Sequence, residues 1–486
     1  MAEPSIVHIQ NFIDGQFVDS SASPRIDSFN PATGRVHLTM PNSTEADVNA
    51  AVAAASAATP RQTRSNILYA IANAIEARLD EFAEAESRDQ GKPVWLAKSV
   101  DIPRAVHNFR FFAGVALHQV DHSTVNDTLG AVNYTTRSPV GVAGLISPWN
   151  LPLYLLTWKI APALVYGNTV VAKPSEITSF TAYLLAKVLN DCGVPPGVCN
   201  IVFGYGYTAG AALVAHPDVP MISFTGGTVT ARAIIQASAP HYKKLSLELG
   251  GKNPGIVFDD ADMSKCVAGI VRSSFTNQGE ICLCTSRIYV QESIFETFLQ
   301  RLVEETRKTI TIGNPSHPGT TMGPLVSREH YNKVISYVGF AKEDGARILC
   351  GETVDPAIRD SLPAELQDGY FMRPTIVANL PESSRCIQEE IFGPVIVVNS
   401  FKDEADVIER SNGVKYGLAA SIWTENVGRM HRVAHAIDAG TVWGNCWMVR
   451  DLNMPFGGMK QSGIGREGGQ DSIEFFTEAK TICVKM

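Results

Sequence analysis

Short apolar runs alternate with helix-like stretches between residues 140 and 258, and this alternation limits the chain to few folds. The predicted strands are Val140–Ile146, Asn168–Lys173, Val198–Val202 and Val219–Phe224, and the predicted helices start at Leu153 and cover Ser179–Asp191 and Gly210–Ala215. Strands separated by helices at this spacing indicate a parallel sheet with right-handed crossovers. The predicted fold class is therefore α/β.

The stretch of residues 138–158 has no charged side chain and is long enough to cross a bilayer as a helix. Pro139, Pro148 and Pro152 interrupt it. A lipid-facing helix would lose backbone hydrogen bonds at each proline, which lipid cannot replace. We therefore interpret the stretch as a buried strand, a loop over Ser147–Asn150 and the start of a buried helix.

The chain has 486 residues, and a chain of this length buries about three quarters of its unfolded surface, so two or more domains are expected. The pattern starts afresh after Gly250–Gly251, with a strand at Ile256–Phe258, a helix near Ser264–Thr276 and a strand at Arg287–Gln291. We place a domain change there. The net charge of −8 gives no general attraction to nucleic acid or to an anionic membrane. An anionic substrate would need a local cationic pocket.

The nine cysteines form neither a C-x-x-C pair nor a disulfide-like framework, which favours a reducing compartment. Cys282 and Cys284 have no accompanying histidine cluster, so no metal site is predicted. Residues 1–10 lack the basic and apolar regions of a signal peptide, and Val484–Met486 is not a peroxisomal address. We expect a cytoplasmic protein.

Two glycine-containing segments carry the chemistry. Glu248 lies in Leu247–Lys252, and Cys282 follows Phe275–Ile281. A thiol can attack an electrophilic carbon, and a carboxylate can later activate water to release the product. Taken alone, the cysteine has the alternative interpretation of a buried structural thiol and the glutamate that of a solvated loop residue.

Both segments resemble the glutamate and cysteine signatures of the NAD(P)-dependent aldehyde dehydrogenases, and the resemblance covers essentially the whole chain. It implies a Rossmann-type cofactor domain, an α/β catalytic domain and a small bridging β-sheet. The implied divisions are 1–119 and 139–249 for the NAD-binding domain, 250–450 for the catalytic domain, and 120–138 with 466–486 for oligomerisation. Residues 57–67 form a shorter link than the family usually has, without a predicted consequence.

The cofactor elements lie at the ends of predicted strands. Lys173 and Glu176 can hydrogen-bond ribose hydroxyls, and Glu176 would repel a 2′-phosphate, which favours NAD over NADP; a surface Lys–Glu loop is the alternative. The glycines of Phe224–Thr228 would let a helix start approach a pyrophosphate. The family usually has serine at position 227 and glycine at 231, so Gly227 removes one hydroxyl.

The resemblance implies that Glu390 binds the nicotinamide ribose and that Phe392 borders the nicotinamide ring, although a core aromatic under a turn is the alternative for Phe392. The full set of predicted cofactor residues is Ile146, Ser147, Trp149, Lys173, Ser175, Glu176, Gly206, Phe224, Thr225, Gly226, Gly227, Leu249, Glu390 and Phe392.

Three residues are predicted to be catalytic. Cys282 is the nucleophile, and it needs a helix N-terminus or the nicotinamide charge to become a thiolate near neutral pH. Asn150 would donate to the oxyanion, although a cap on the next helix is the alternative. Glu248 is the base for water, with a pKa raised by a partly apolar pocket. The implied cycle passes through a cysteine thioester and ends in a carboxylic acid.

Substrate recognition rests on two arginines and an apolar tunnel. Arg104 and Arg450 would clamp carboxylates through bidentate hydrogen bonds, although surface ion pairs are the usual fate of arginine. The family resemblance implies that Leu151, Leu155 and Trp158 line the aldehyde tunnel, with Ile281 and Leu283 beside the nucleophile. The segments 102–104, 108–112, 147–159 and 279–287 resemble the branch of the family that oxidises 2-aminomuconate 6-semialdehyde, a small dicarboxylate-like substrate, in tryptophan (kynurenine) catabolism.

The strand predicted over 120–138 and the C-terminal segment 471–486 would form an exposed edge, so a homodimer or homotetramer is expected. Several alternatives stay open: another aldehyde substrate such as retinal, betaine aldehyde or an aliphatic aldehyde, an acylating or esterase-only enzyme, and a catalytically silent structural protein on the same fold.

Overall fold

The computed structural model describes residues 6–21, 24–55, 59–351 and 356–486, and for residues 356 and 357 it describes the backbone alone. Residues 1–5 of the stretch searched for a signal peptide, and residues 57 and 58 of the shortened link, lie outside the described residues. Within the described ranges, every helix is too short or too polar to cross a lipid bilayer.

An eight-stranded sheet dominates the first half of the chain. In spatial order its strands are Gly463–Ile464, Lys244–Glu248, Met221–Thr225, Val142–Ile146, Thr169–Lys173, Cys199–Ile201, Asn11–Ile13 and Gln16–Val18. The five central strands are parallel, and the strands at both edges are antiparallel. The predicted parallel sheet is confirmed, with strand bounds within a few residues of those expected.

The strand order places a functional crevice at a defined point. From Val142–Ile146 the chain adds two strands on one side of the sheet and then returns to add Met221–Thr225 on the other. Loops after neighbouring strands on either side of such a reversal leave in opposite directions and open a crevice at the carboxyl edge. The loops after Ile146 and Thr225 flank this crevice.

A seven-stranded sheet forms the second half. Its strands in order are Arg347–Cys350, Thr375–Ala378, Val395–Phe401, Thr285–Gln291, Asn253–Val257, Ala419–Trp423 and Thr441–Gly444. All neighbours are parallel except Arg347–Cys350, which is antiparallel at one edge. The chain passes from the first large sheet to the second between Glu248, which ends one strand, and Asn253, which begins the next; the domain change at Gly250–Gly251 stays a prediction.

Three small sheets complete the β-structure. One holds Ser123–Asn126, Ala131–Pro139 and Thr477–Lys485; a second holds Val7–His8, Arg35–Met40 and Ile26–Asn30; the third holds Tyr416–Gly417 and Met459–Lys460. In the first of these, Thr477–Lys485 is an edge strand that pairs antiparallel with Ala131–Pro139 along its whole length. Most of its side chains are exposed.

The α-helices surround the sheets. They are Glu45–Ala53, Arg61–Ala77, Leu79–Gln90, Val94–Leu96, Ile102–Val115, Pro152–Val165, Phe180–Asp191, Ala211–Ala215, Thr228–Ser238, Met263–Phe275, Phe295–Thr309, Arg328–Glu343, Pro356–Ser361, Arg385–Gln388, Glu404–Asn412, Val427–Ala436 and Gly469–Phe476. Two π-helical turns occur, at Ala97–Asp101 and Gly206–Gly210. The apolar pattern predicted near 65–88 is two helices, because Arg78 leaves helical geometry with φ −112° and ψ 26°.

Helix Pro152–Val165 is buried on every side, which explains the uncharged stretch in the sequence. Pro152 occupies its first turn, where a missing N–H costs nothing. At the C-terminus, the predicted bridging segment divides in two. Helix Gly469–Phe476 packs Ile473 and Phe476 into the hydrophobic core of the first large sheet. The strand that follows this helix, Thr477–Lys485, is the part of the segment that joins the small sheet.

Candidate active site

A cavity of about 230 Å³ opens at the crevice between the two large sheets. It is lined by Pro148, Trp149, Asn150, Thr225, Gly226, Gly227, Leu249, Gly250, Cys282, His330, Lys333, Glu390 and Phe392. The three predicted catalytic positions therefore meet, because Glu248 immediately precedes Leu249 at the end of its strand. His330 and Lys333, which the sequence analysis missed, complete the wall.

Orphaned polar atoms and open space in this crevice fit a dinucleotide. The hydroxyls of Ser147 and Thr225 are buried without a hydrogen-bond partner. Gly227 caps helix Thr228–Ser238, and a Cβ on it would meet no atom, so a pyrophosphate has room at the helix start. Gly226 instead needs to lack a side chain, because a Cβ there would overlap the ring of Phe224.

The residues predicted to bind the ribose include an ion pair. Lys173 is almost fully buried, and its Nζ lies 3.0 Å from the Glu176 carboxylate, with Glu176 partly exposed. Both side chains sit at the carboxyl end of Thr169–Lys173, so the surface-loop alternative does not apply to Lys173. Ser175 is buried and accepts from the Ile177 N–H at 3.3 Å, whereas Gly206 is exposed at the start of a π-turn.

The nicotinamide end is shaped by Glu390 and two aromatic rings. The Gly251 N–H donates to Glu390 at 2.9 Å, and a Cβ on Gly250 would overlap the same carboxylate. Phe392 has a positive φ of 61° and meets Trp149 edge to face at 5.2 Å. Phe392 is partly exposed to the cavity rather than packed under a turn, and Ile146 is likewise partly exposed.

The loop of residues 276–284, which bears the predicted nucleophile Cys282 and is named the nucleophile loop, has an unusual backbone conformation. Asn277 and Gln278 both have left-handed φ values, 54° and 59°, which costs about 1–3 kcal/mol each for such residues. The Asn253 amide donates to the carbonyls of Cys282 and Cys284 at 2.7 and 2.9 Å. These contacts fix Cys282 against the first strand of the second sheet.

Cys282 is a protonated thiol in this arrangement. Burial and the adjacent Glu248 carboxylate, to which the thiol hydrogen-bonds, raise the pKa of Cys282 well above its usual value. The element that follows Cys282 is strand Thr285–Gln291, while helix Pro152–Val165 begins two residues after Asn150 in the wall of the same cavity, so the help expected from a helix N-terminus stays a prediction. Burial also raises the pKa of Cys284 to about 12, and its thiol contacts the Thr276 carbonyl.

Glu248 is 3% exposed, which excludes the solvated-loop alternative. Burial, followed by the nearby Glu467 carboxylate, raises the pKa of Glu248 to about 7, against the opposing effects of Lys159, the Cys282 hydrogen bond and Arg450. One carboxylate oxygen, Oε1, has no hydrogen-bond partner. A carboxylate that titrates near neutral pH suits a general base.

Glu467 and Lys159 form a second layer that the sequence analysis missed. Lys159 Nζ lies 3.0 Å from Glu467, and the indole N–H of Trp158 donates to Glu467 at 2.7 Å. The Ser223 and Ser246 hydroxyls lie at 3.4 Å from the same carboxylate. Glu467 lies far from Glu248 in the sequence, and its flanking residues form no motif that would have identified it.

Asn150 faces the cavity beside Cys282. Its side-chain amide donates to the Glu280 carbonyl at 3.0 Å, which orients the amide and leaves its second N–H for a ligand. Helix Pro152–Val165 has Leu151 as its N-cap and no side-chain cap, so the alternative of a capping asparagine is wrong. The arrangement therefore favours the oxyanion role.

A second cavity, of about 660 Å³, lies on the other side of the nucleophile loop. Arg104 and Arg450 both line it. Their Nε and Nη2 atoms are buried without a hydrogen-bond partner. Their guanidinium groups rest only on aromatic rings, Arg104 on Tyr154 at 5.2 Å and Arg450 on Phe456 at 3.8 Å. Burial, and the positive charge of Arg450, lower the pKa of Arg104.

The predicted tunnel residues divide into two groups. Leu151, Ile281 and Leu283 line the large cavity. Leu155 lies in the apolar cluster behind that wall, and Trp158 lies beneath Arg450 with its ring 4.8 Å from the guanidinium carbon. The sequence analysis missed His107, Tyr154, Arg272 and Trp447, which also line the cavity.

The profile of the aldehyde dehydrogenase family matches residues 17–482. The chain therefore belongs to the aldehyde dehydrogenase family. A solved structure of PnpE in complex with nicotinamide adenine dinucleotide has a TM-score of 0.94 and 39% identity, and the match covers 98% of this chain and 97% of that chain. The NAD⁺ complex of aldehyde dehydrogenase from Bacillus cereus has a TM-score of 0.93 and 37% identity, over 99% and 97% of the two chains.

The curated relatives are more similar still. The human 2-aminomuconic semialdehyde dehydrogenase is 58% identical over 99% of both chains. The 2-hydroxymuconic semialdehyde dehydrogenase of Pseudomonas sp. (strain CF600) is 47% identical over 98% of this chain and 99% of its own. These relatives act, by name, on semialdehydes of one chemical type.

Proposed function

We propose that this enzyme oxidises 2-aminomuconate 6-semialdehyde to 2-aminomuconate with NAD, as a step of tryptophan (kynurenine) catabolism. The observation that carries the substrate class is the pair Arg104 and Arg450. Two partly buried guanidinium groups in one cavity, each with its Nε and Nη2 buried and unpartnered, are costly unless a ligand neutralises them. A small dicarboxylate-like aldehyde supplies that charge, and relatives named for this substrate type reach 58% identity.

The first half of the reaction adds the Cys282 sulfur to the aldehyde carbon. Since the thiol already hydrogen-bonds to Glu248, the proton passes from Sγ to that carboxylate as the C–S bond forms. The oxygen of the resulting tetrahedral adduct carries negative charge, which the free N–H of Asn150 stabilises. Bound NAD accepts the hydride, and the carbon becomes a thioester on Cys282.

The second half releases the acid. Glu248 first releases to solvent the proton that it took from Cys282. It then takes a proton from water, which attacks the thioester, and it returns that proton to the Cys282 sulfur as the C–S bond breaks. Because the pKa of Glu248 is about 7, this carboxylate can both accept and give up a proton near neutral pH. Water is the acyl acceptor on this account, since a buried carboxylate occupies the position that a base requires.

For the cofactor, Lys173 and Glu176 would hold the ribose hydroxyls, and the orphaned hydroxyls of Ser147 and Thr225 would meet the phosphates or the sugar. Glu176 favours NAD, because its carboxylate would repel a 2′-phosphate. Glu390 would bind the second ribose beside Phe392. On this proposal residues 1–119 and 139–249 form the NAD-binding domain, and residues 250–450 the catalytic domain.

The experiment is a set of aldehydes assayed by NADH formation, with and without coenzyme A. We expect 2-aminomuconate 6-semialdehyde and its 2-hydroxy analogue to exceed betaine aldehyde, retinal and aliphatic aldehydes in kcat/KM. Arg104→Met and Arg450→Met should each reduce kcat/KM for the anionic substrates by about a hundredfold, since a buried unpaired charge costs about 3 kcal/mol.

The matched control is Arg110→Met, on the same helix as Arg104 but exposed and paired with Glu76. It should leave kcat/KM unchanged for all substrates. Equal losses on neutral and anionic aldehydes in the Arg104 and Arg450 variants would remove the carboxylate clamp. Dependence of turnover on coenzyme A would replace water as the acyl acceptor.

We also propose a homodimer or homotetramer in the cytoplasm. The support for assembly is the exposed edge strand Thr477–Lys485, whose outer backbone groups can pair with a second copy. Residues 120–138 and 466–486 would supply the contact. The test is sedimentation of a chain that ends at residue 476 and therefore lacks the edge strand. We expect this chain to be a monomer. An assembly of unchanged size would exclude the edge strand as the interface.

A further inference from the structure

Three ionisable side chains are buried together behind the oxyanion residue, and none of them enters the mechanism above. Glu86 and Lys92 are fully buried, and Asp101 is 1% exposed. Lys92 Nζ lies 3.1 Å from Asp101 and 3.9 Å from Glu86. Buried charges of this kind are costly unless they are fully paired, so their arrangement calls for a role beyond packing.

Lys92 connects this cluster to the oxyanion residue. Its Nζ donates to the backbone carbonyl of Asn150 at 3.1 Å. Asn277, in the nucleophile loop, donates to the same carbonyl at 3.1 Å. Glu86 accepts from the N–H of Leu153 at 3.4 Å. The C-terminal end of the loop that bears Asn150 is therefore held by the cluster, so the backbone position from which the Asn150 amide extends depends on these bonds.

Asp101 connects the same cluster to the substrate cavity. It ends the π-helical turn Ala97–Asp101, where helix Ile102–Val115 begins, and it lines the large cavity itself. Arg104 lies three residues further, in the first turn of that helix. π-Turns concentrate at functional sites, because the extra residue redirects a side chain. Here the redirected side chain, Asp101, points at Lys92.

We infer that Lys92 is a positioning residue that joins the helix bearing Arg104 to the loop bearing Asn150, so that a carboxylate bound at Arg104 favours the oxyanion-binding position of Asn150. The part concerning Asn150 stands on the contacts of Lys92 alone. The coupling to Arg104 rests on the proposed anionic substrate.

The test compares Lys92→Met with Lys92→Arg in the full-length enzyme. Rapid-mixing measurements give the NADH burst, which reports C–S bond formation and hydride loss, and the steady-state rate, which reports thioester hydrolysis. We expect Lys92→Met to slow the burst by about tenfold to a hundredfold, as expected for a misplaced oxyanion donor. Thioester hydrolysis should also slow, because the attack of water creates a second oxyanion at the same carbon, whereas the Kd for NAD, from fluorescence titration, should stay unchanged. Lys92→Arg, which keeps the charge and donors, should recover part of the burst rate.

Two further variants keep the inference falsifiable. Lys92→Met alone leaves the buried Asp101 without its partner, which could prevent folding. Lys92→Met/Asp101→Asn removes both charges and avoids this problem, and the same slow burst is expected. Lys98→Met/Asp80→Asn is the matched control, since Lys98 and Asp80 form an exposed ion pair at 2.8 Å between the same π-turn and helix Leu79–Gln90, which ends two residues before Lys92. This control should behave as the wild-type enzyme.

A double-mutant cycle with Arg104→Met tests the coupling. For the anionic semialdehyde, the burst losses of Lys92→Met/Asp101→Asn and Arg104→Met should be non-additive, whereas a neutral aldehyde should show no coupling. An unchanged burst, or a loss of NAD affinity as large as the loss of burst rate, would overturn the positioning role. If the wild-type enzyme does not prefer anionic aldehydes, the proposed substrate fails, while the burst with a neutral aldehyde still decides the role of Lys92.

Discussion

The layer behind the general base makes a quantitative prediction about pH. Thioester hydrolysis requires the Glu248 carboxylate, whose pKa is about 7. About one eleventh of the carboxyl groups are ionised at about pH 6 and ten elevenths at about pH 8, so the hydrolysis rate should rise about tenfold over that interval. The half-point should lie near the pKa of Glu248.

Replacing Glu467 by Gln should shift this half-point to lower pH. Glu467 is the nearby negative charge that raises the pKa of Glu248, and its removal also leaves the Lys159 ammonium, which lowers that pKa, without its 3.0 Å partner. Both changes favour the ionised carboxylate. At low pH, the hydrolysis rate of the variant should therefore be a larger fraction of its own high-pH rate than it is for the wild-type enzyme.

The measurement is a pH-jump experiment in which the acyl-enzyme is formed and acid release is followed at each final pH. Lys159→Met is the opposing variant, because it removes the cation and should move the half-point to higher pH. The same half-point in all three proteins, or a shift of Glu467→Gln to higher pH, would refute the electrostatic account of Glu248.

Three further outcomes follow from the two cavities. Gly227→Ser restores a hydroxyl in open space at the helix start and should tighten NAD binding by about fivefold, the effect of one hydrogen bond of about 1 kcal/mol, by fluorescence titration; weaker binding would contradict the pyrophosphate placement. Gly250→Ala should displace the Glu390 carboxylate and raise the Kd for NAD, with no change in secondary structure by circular dichroism. Arg272→Gln, at an exposed position in the cavity wall, should lower kcat/KM for an anionic aldehyde at low salt only, while Arg301→Gln, outside that wall, should not.

The sequence predicted most of the α/β framework because its strands and helices are locally encoded. The apolar run at Val142–Ile146 and the helix from Pro152 are separated by a loop whose prolines exclude a continuous helix. The positions of Cys282 and Glu248 followed from glycine-containing motifs. The structure shows why glycine is needed in these motifs: at Gly250, a side chain would overlap the Glu390 carboxylate.

Other features of the site could not be read from local patterns. Glu467 and Lys159 influence Glu248 through an ion pair that joins residues more than three hundred positions apart. Lys92 lies in an ordinary-looking Gly–Lys–Pro turn, and only the fold brings it to the Asn150 carbonyl. The family resemblance placed Trp158 in the tunnel, yet its indole N–H donates to Glu467.

The two arginines in the large cavity show how function competes with stability in this fold. Tyr154 and Phe456 provide cation–π contacts, but such contacts replace only part of the hydration that burial removes from a guanidinium group. A carboxylate side chain nearby would have stabilised the empty protein, and Asp101, the acidic residue of the cavity wall, is instead paired with Lys92. The cavity therefore keeps its positive charge for a ligand, since any internal acid strong enough to neutralise Arg104 would also compete with the substrate carboxylate for the same N–H groups.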